Sequence, residues 1–232
     1  MVCGLAVATT SFAISVADVT IDSATMTNGY MNVFELPSNG GAYIFGSGWG
    51  IADLNTNFTT SSSVTFTPNT IGDPNPFWYT PSGGPGATGN KIMEANLYAQ
   101  PADGTLSGKL VRFSGNVDSF TLQTGTNPNT DYTFKAFIRD FAPDYSSVNE
   151  QSTSITTTGS FSITLLANSD VTRHVQYGLQ MKGADVWVTD VATKGSVTVS
   201  AVPEPGSIAL LGIGGGCLSL VAARRVRRRA AA

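Results

Sequence analysis

The chain has 232 residues, of which 41% are hydrophobic and only 12% are charged, and its formal net charge at pH 7 is −3. The stretch from Asp18 to Ser200 is more acidic, with 8 Lys and Arg against 15 Asp and Glu, a net charge of −7. Such a body repels anionic polymers and surfaces, which argues against nucleic acid as a partner. Both cysteines, Cys3 and Cys217, lie outside this body, which therefore has neither disulfides nor thiolate metal sites.

The first predicted element is an export signal over residues 1–17. Residues 2–17 are small or apolar and carry no charge, which is typical of the hydrophobic region of a signal peptide. Ser15-Val16-Ala17 fits a small-x-small cleavage site before Asp18, and an alternative cut follows Ala13. No basic residue precedes the apolar run, a departure from the usual pattern. Residues 14–21 could instead serve as a first buried strand.

The body, residues 18–200, shows side-chain alternation with a period of two, which predicts β-strands. Predicted strands cover residues 31–36, 52–58, 63–68, 92–99, 110–117, 132–139, 151–157, 161–165, 175–182 and 196–200. The side chains predicted to be buried are Tyr132, Phe134, Ile138, Phe161, Ile163, Tyr177 and Leu179. In residues 132–139 the other face is predicted to carry Thr133, Lys135, Phe137 and Arg139.

Turn sequences separate these strands, among them residues 38–41, 103–104, 126–129 and 182–185. About ten strands in one domain of this size predict an all-β fold, an antiparallel β-sandwich of the jelly-roll kind. The sequence contains no clear internal repeat, which disfavours a propeller or a β-helix.

Residues 69–90 form a long loop rich in proline and glycine around Phe77-Trp78-Tyr79. Loops this long in compact domains are usually functional or disordered, and the aromatic run argues against simple disorder. Aromatic rings can stack on the apolar faces of sugars, so Trp78, Tyr79 and Trp49 are candidate glycan-binding residues. The acidic body favours a neutral polysaccharide. The alternative is that these rings, and Trp187, belong to the core.

Residues that could carry catalysis or bind metal are few. The single histidine, His174, has no Gly-x-Ser-x-Gly motif to accompany it, so a Ser-His-Asp triad is not supported. The spacing of Asp140 and Asp144 is common in loops and gives little reason to expect a glycosidase. With Asp185 and Asp190 these aspartates could offer oxygen ligands to calcium, although neither an EF-hand nor a repeat motif for calcium is present. We therefore expect no enzyme and no cofactor, with calcium as a minor alternative.

Near the end of the body, a predicted strand at residues 174–182 is followed by Val-Trp-Val-Thr-Asp-Val at 186–191 and by a final predicted strand at residues 196–202. This pattern resembles the end of galactose-binding-like jelly rolls that bind carbohydrate. The resemblance covers few residues and supports the fold more than any ligand.

The last segment, residues 201–232, has three parts. In Val202-Pro203-Glu204-Pro205 two prolines remove backbone donors, so neither a helix nor a strand runs through. Residues 207–223 are apolar and uncharged, and as a helix they would span about 25 Å, close to the bilayer core of about 30 Å. A basic cluster follows and would keep this end in the cytoplasm. It consists of Arg224, Arg225, Arg227, Arg228 and Arg229.

This order of kink, hydrophobic helix and arginine cluster resembles the PEP-CTERM protein-sorting signal of bacterial exosortase systems. The resemblance implies recognition by an exosortase-type membrane sortase, passage through the inner membrane, removal of the tail and delivery to the cell surface or extracellular matrix. The alternatives are an ordinary membrane anchor and a buried core helix with a basic tail. We therefore expect an exported, non-enzymatic β-sandwich that binds glycans or serves as matrix material. The competing functions are a surface enzyme acting on polysaccharide and a permanently anchored structural protein.

Overall fold

The computed structural model describes residues 14–202, which form fourteen β-strands and three short 3-10 helices. The strands are β1 (Val16–Val19), β2 (Asn28–Glu35), β3 (Tyr43–Gly48), β4 (Thr56–Thr60), β5 (Ser63–Phe66), β6 (Tyr79–Thr80), β7 (Thr88–Gly89), β8 (Lys91–Ala99), β9 (Leu110–Phe120), β10 (Thr133–Phe141), β11 (Val148–Ile155), β12 (Gly159–Leu166), β13 (His174–Ala184) and β14 (Val197–Ser200). The 3-10 helices are Pro37–Asn39, Ala52–Leu54 and Val191–Lys194. No helix in this part of the chain is long and apolar enough to cross a membrane.

Two six-stranded sheets face each other. In the first sheet β9 pairs with β12 on one side and with both β1 and β14 on the other, and β5 and β4 follow. The second sheet has the order β11-β10-β13-β8-β2-β3 and is antiparallel throughout. A two-stranded ribbon, β6 with β7, lies within the long loop. The predicted all-β sandwich is therefore confirmed.

The core lies between the two sheets, as the alternation predicted, because one face of each strand points inward. Tyr132, Phe134, Ile138, Ile163, Tyr177 and Leu179 are all buried. Phe161 is only partly buried, because it lies on β12 at the edge of the first sheet. Its ring still packs edge-on against Phe113, with ring centroids 5.5 Å apart.

One predicted strand and one predicted turn were wrong. Residues 52–58 break into a 3-10 helix and β4, because Asn55 takes a left-handed conformation with φ of 54° and ends the helix. The turn predicted at residues 182–185 is also wrong in its position, because β13 continues to Ala184. Strand β3 was not predicted at all, because glycine and serine interrupt its alternation.

The N-terminal boundary predicted after Ala17 falls inside β1. This strand runs parallel to β9, with Val16 opposite Leu110 and Val19 opposite Phe113. The backbone N–H of Leu110 also donates to the carbonyl of Ser15 at 3.0 Å. The alternative cut after Ala13 leaves all of this pairing in place. The remainder of the predicted export signal lies outside the described residues.

The outer face of the second sheet is partly covered, which simple alternation does not predict. Phe137 points outward yet is fully buried, and the guanidinium of Arg139 lies 3.9 Å from its ring centroid. Gln176 and Gln180 of β13 also point outward and are 7% and 5% exposed. Long polar side chains such as that of Arg139 therefore cover part of this face.

Candidate functional site

A cleft of about 490 Å³ opens on the outer face of the second sheet. Strands β2, β8, β10 and β13 each contribute side chains, because every second residue of a strand faces the same way. The lining residues are Tyr30, Asn32, Asn96, Tyr98, Arg139, Phe141, Tyr145 and Gln176. Tyr145 comes from the loop between β10 and β11 and not from a strand.

Asn96 is the polar centre of the cleft floor. Its amide nitrogen donates to the carbonyls of Tyr30 and Glu94 at 3.3 and 3.0 Å. Its Oδ1 accepts from Gln180 Nε2 at 2.7 Å and from Arg139 Nη1 at 3.0 Å. These four hydrogen bonds, to residues of β2, β8, β10 and β13, hold the side chain in one orientation. The floor is therefore preorganised, which lowers the ordering cost of binding a ligand.

The carboxylates beside the cleft are neutralised by basic side chains. Glu150 of β11 accepts from Lys135 Nζ and from Arg139 Nε, both at 2.7 Å. Burial alone would raise the pKa of Glu150, but the bonds and charges of these two partners outweigh it and lower that pKa to about 2. On the other side of the cleft Glu94 accepts from Lys182 Nζ at 3.1 Å.

Three tyrosines supply the apolar walls. Tyr30 and Tyr145 are 37% and 52% exposed, while Tyr98 is half-buried. Burial raises the pKa of the Tyr98 phenol, which therefore stays neutral. Gly46 of β3 makes room for Tyr30, because a Cβ there would come within 2.9 Å of the tyrosine ring. Aromatic faces beside fixed amides suit a ligand that has both apolar faces and hydroxyl groups.

The aromatic residues singled out from the sequence lie elsewhere. Tyr79 is fully buried, and its hydroxyl donates to the carbonyl of Ile71 at 2.8 Å, so its ring cannot stack on a ligand. Trp78 is half-buried and packs edge-on against Phe45 and Phe77, with centroids 6.3 and 4.7 Å away. For Tyr79 the core alternative is therefore correct.

Trp49 is also half-buried and packs against the core, with its indole N–H donating to Ser47 Oγ at 2.9 Å. It borders a separate, open depression of about 480 Å³ together with Asp53 and Asn55. Trp187 packs edge-on against Tyr79 at 5.3 Å. The structure thus does not bring Trp49, Trp78 and Tyr79 together in one site.

The four aspartates considered for calcium also have separate surroundings. Asp140 is 1% exposed and accepts from Arg173 Nε at 2.7 Å, and Asp144 accepts from Ser146. Asp190 accepts from the backbone of Gly86 at 2.6 Å, while Asp185 is buried beside Lys91. Within residues 14–202 no three His, Cys, Asp or Glu side chains are grouped so that they could hold a metal ion.

The sequence did not indicate that the cleft residues form a site. Tyr98 and Arg139 fall within the predicted strands 92–99 and 132–139, and Tyr30 directly precedes the predicted strand 31–36. The sequence did not say which strands are neighbours, and the cleft exists only once β2, β8, β13 and β10 lie side by side.

The sorting residues from Pro203 to Arg229 lie outside the described residues, and Val202 is the last described residue.

Comparison with known families assigns the C-terminal segment. Residues 201–229 match the family described as PEP-CTERM protein-sorting motif. The chain therefore carries this sorting motif, as its residues predicted. The motif marks the chain for export and for exosortase-mediated sorting to the cell surface. No curated protein matches the chain.

The solved structures that match the chain include two at low identity. One shows the CBM22-1 and GH10 modules of the Clostridium thermocellum endo-1,4-beta-D-xylanase 10B, complexed with xylohexaose. That match covers 64% of this chain and 25% of that chain, at 10% identity and a TM-score of 0.29. The other is a carbohydrate-binding module from the beta-sandwich superfamily, covering 70% of this chain and 67% of that chain at 16% identity and a TM-score of 0.29. This chain thus spans a quarter of the length of the xylanase chain. At such TM-scores neither likeness bears on the ligand of this chain.

Proposed function

We propose that this chain, which carries a PEP-CTERM sorting motif, is a non-enzymatic surface protein whose β-sandwich binds a neutral glycan in the cleft of the second sheet. The observation that supports this most strongly is the cleft itself. Its exposed tyrosine rings stand beside amide groups already fixed by hydrogen bonds. Sugars present apolar C–H faces that stack on such rings and hydroxyls that bond to such amides.

The charges around the cleft favour a neutral ligand over an anionic one. Glu94 and Glu150 are each paired with basic side chains, so the cleft offers little free positive charge. The surrounding body carries a net charge of −7 between Asp18 and Ser200 and repels polyanions at longer range. A polysaccharide without carboxylates or sulfates meets neither obstacle.

The same pairing supports a binding role over hydrolysis. A glycosidase needs one carboxyl group that is protonated near neutral pH and can act as a general acid. Glu150 has a pKa of about 2 and therefore stays ionised. Glu94 is held by Lys182 and by Asn32, whose Nδ2 lies 3.0 Å from Oε1. These contacts suit a rigid binding surface. A surface enzyme acting on polysaccharide remains the competing function.

The sorting motif supplies the location in which such binding would be useful. We further propose that the chain passes through the inner membrane by residues 207–223, that the exosortase-type sortase acts at Pro203-Glu204-Pro205, and that the body is released to the cell surface or matrix. A glycan-binding body would then hold the protein in extracellular polysaccharide.

The experiment is affinity electrophoresis of the full-length protein through gels that contain soluble neutral polysaccharides. Suitable probes are mixed-linkage β-glucan, arabinoxylan, galactomannan and dextran, with alginate as the anionic control. We expect retardation by at least one neutral polymer and none by alginate. Tyr30→Ala and Tyr98→Ala should each weaken binding about tenfold by removing a stacking surface. Leu166→Ala, exposed on the other sheet, is the matched control.

Two outcomes would change the assignment. If Trp78→Ala abolishes retardation while Tyr30→Ala leaves it intact, the ligand binds at the long loop and not in the cleft. If reducing ends accumulate when the protein is incubated with the retained polymer, the protein is an enzyme. Thermal unfolding of each variant separates lost binding from lost folding.

A further inference from the structure

His174 sits at the edge of the cleft with both ring nitrogens facing acceptors. It begins β13, next to Phe141 of β10. Its Nδ1 lies 2.8 Å from Oδ1 of Asp103, and its Nε2 lies 3.1 Å from the carbonyl oxygen of Pro143. A neutral imidazole has a single N–H, so it can satisfy only one of these acceptors. The imidazolium has two N–H groups and satisfies both.

The His174 ring also supports a wall of the cleft. It stacks on the ring of Tyr145 with centroids 4.6 Å apart and an interplanar angle of 16°. Tyr145 is held at φ of 58°, the left-handed region that side chains other than glycine rarely adopt. A cation over an aromatic face gains electrostatic energy that a neutral ring does not. All three contacts of His174, to Asp103, Pro143 and Tyr145, are therefore stronger when it is protonated.

We propose that His174 is a positioning residue that, in its imidazolium form, clamps the loop of residues 142–147 and holds Tyr145 at the cleft wall, so that glycan affinity falls as the imidazolium loses its proton. This inference rests on the glycan-binding function proposed above. The clamp joins three elements: the loop after β8, which carries Asp103, the loop after β10, which carries Pro143 and Tyr145, and the start of β13.

The other charged groups near His174 leave Asp103 as the decisive partner. Arg173 points to the other side of the strand, where its Nε donates to Asp140 at 2.7 Å. Asp144 is occupied by the hydroxyl and backbone N–H of Ser146, at 2.6 and 3.1 Å. The hydrogen bond with Asp103, helped by the Pro143 carbonyl, raises the pKa of His174 above its ordinary value of 6.5. The clamp is thus complete below pH 6.5 and is lost as the pH rises through the raised pKa of His174.

The first test needs no ligand. The full-length protein is labelled with 13C on histidine and tyrosine rings and followed by NMR from pH 5 to 9, with Tyr145→Phe used to assign the Tyr145 signal. We expect the Tyr145 signal to move with the same midpoint as the His174 signal, above pH 6.5. In Asp103→Asn both midpoints should drop together, and in His174→Gln the Tyr145 signal should not titrate. A Tyr145 signal that stays constant while His174 titrates overturns the proposal.

The second test uses the neutral polysaccharide that retards the protein in affinity electrophoresis. Wild-type affinity should fall about two- to fivefold between pH 5.5 and pH 8.5, the size expected when a cation–π contact is lost. His174→Gln should bind with little dependence on pH. A wild-type affinity that is constant over this range contradicts the proposal. If no neutral polysaccharide binds while Tyr145 still follows His174, the clamp stands and the glycan-binding function is the part that fails.

Discussion

Phe66 of β5 and Phe134 of β10 meet across the sandwich, with ring centroids 5.1 Å apart and ring planes at 75°. Each belongs to a different sheet, and both are fully or nearly fully buried. Edge-to-face pairs of this kind contribute about 0.5–1.5 kcal/mol beyond the area that they bury. This contact therefore joins the two sheets directly.

The first prediction follows from that contact. Phe134→Ala should lower the free energy of unfolding by about 3–5 kcal/mol, because it removes a buried ring and leaves a cavity between the sheets. Urea denaturation followed by tryptophan fluorescence measures the change. Leu166→Ala is the matched control, since Leu166 is 51% exposed and should cost well under about 1 kcal/mol. Equal losses in the two variants would show that the rings do not form the centre of the core.

The second prediction concerns Asp185, which is 2% exposed and has no hydrogen-bond partner at Oδ2 among the described residues. Burial raises the pKa of this carboxyl group to about 7, although the backbone N–H of Lys91 partly opposes the shift. The folded protein then holds a proton that the unfolded chain releases above about pH 4. Stability should therefore fall as the pH rises from about 4 to 7.

Asp185→Asn keeps an oxygen for the Lys91 N–H and removes the titration. We expect the variant to gain about 1–3 kcal/mol over the wild type at pH 8.5 and little at pH 4.5. Urea unfolding at the two pH values gives the difference. Asp190→Asn serves as the control, because its carboxylate already accepts from Gly86. A gain for Asp185→Asn that is the same at both pH values would contradict the raised pKa.

The third prediction concerns the mature N-terminus. Cleavage after Ala13 preserves β1, whereas cleavage after Ala17 removes Val16, Ala17 and the Ser15 carbonyl that accepts from Leu110. Mass spectrometry of the mature protein from its native host should find Ile14 as the first residue. A version beginning at Asp18 should be less stable than one beginning at Ile14 by about 1–2 kcal/mol in urea. A native start at Asp18 with no loss of stability would show that β1 is dispensable.

The fourth prediction concerns sorting. Glu204→Ala, or replacement of the arginine cluster at 224–229 by alanine, should leave the folded body unchanged, since the described sandwich ends at Ser200. Delivery should nevertheless fail, because these residues belong to the matched sorting motif. Cell fractionation in a host that has its sorting system is the measurement, with Asp53→Ala as a control in the body. Normal maturation of both sorting variants would count against sortase recognition at these positions.

The sequence was informative about the core and poor about strand boundaries near turns. Alternating apolar residues such as Phe134, Ile138 and Leu179 predicted the inward face correctly, because burial on one side of a strand is a local pattern with a period of two. The failure at residues 52–58 came from the left-handed conformation of Asn55, which the alternation does not reveal.

The aromatic run at residues 77–79 was a poor guide to which rings are exposed. Three consecutive aromatics in a loop suggested exposure, yet Tyr79 is buried. Its hydroxyl bonds to the carbonyls of Ile71 and of Val186, which lies far along the chain. The rings that line the cleft, Tyr30, Tyr98 and Tyr145, lie far apart in the sequence and have unremarkable neighbours. No local pattern connects them.

By itself the sequence determined the sorting motif, the all-β class and the inward faces of β10, β12 and β13, because each depends on the order or the alternation of nearby residues. Only the tertiary structure decided what the outward face does. Strand pairing sets the neighbours of each outward side chain, and it placed Asn96 where β2, β13 and β10 supply its hydrogen bonds. Pairing depends on contacts between residues distant in the chain, and a period of two contains no information about which strands are neighbours.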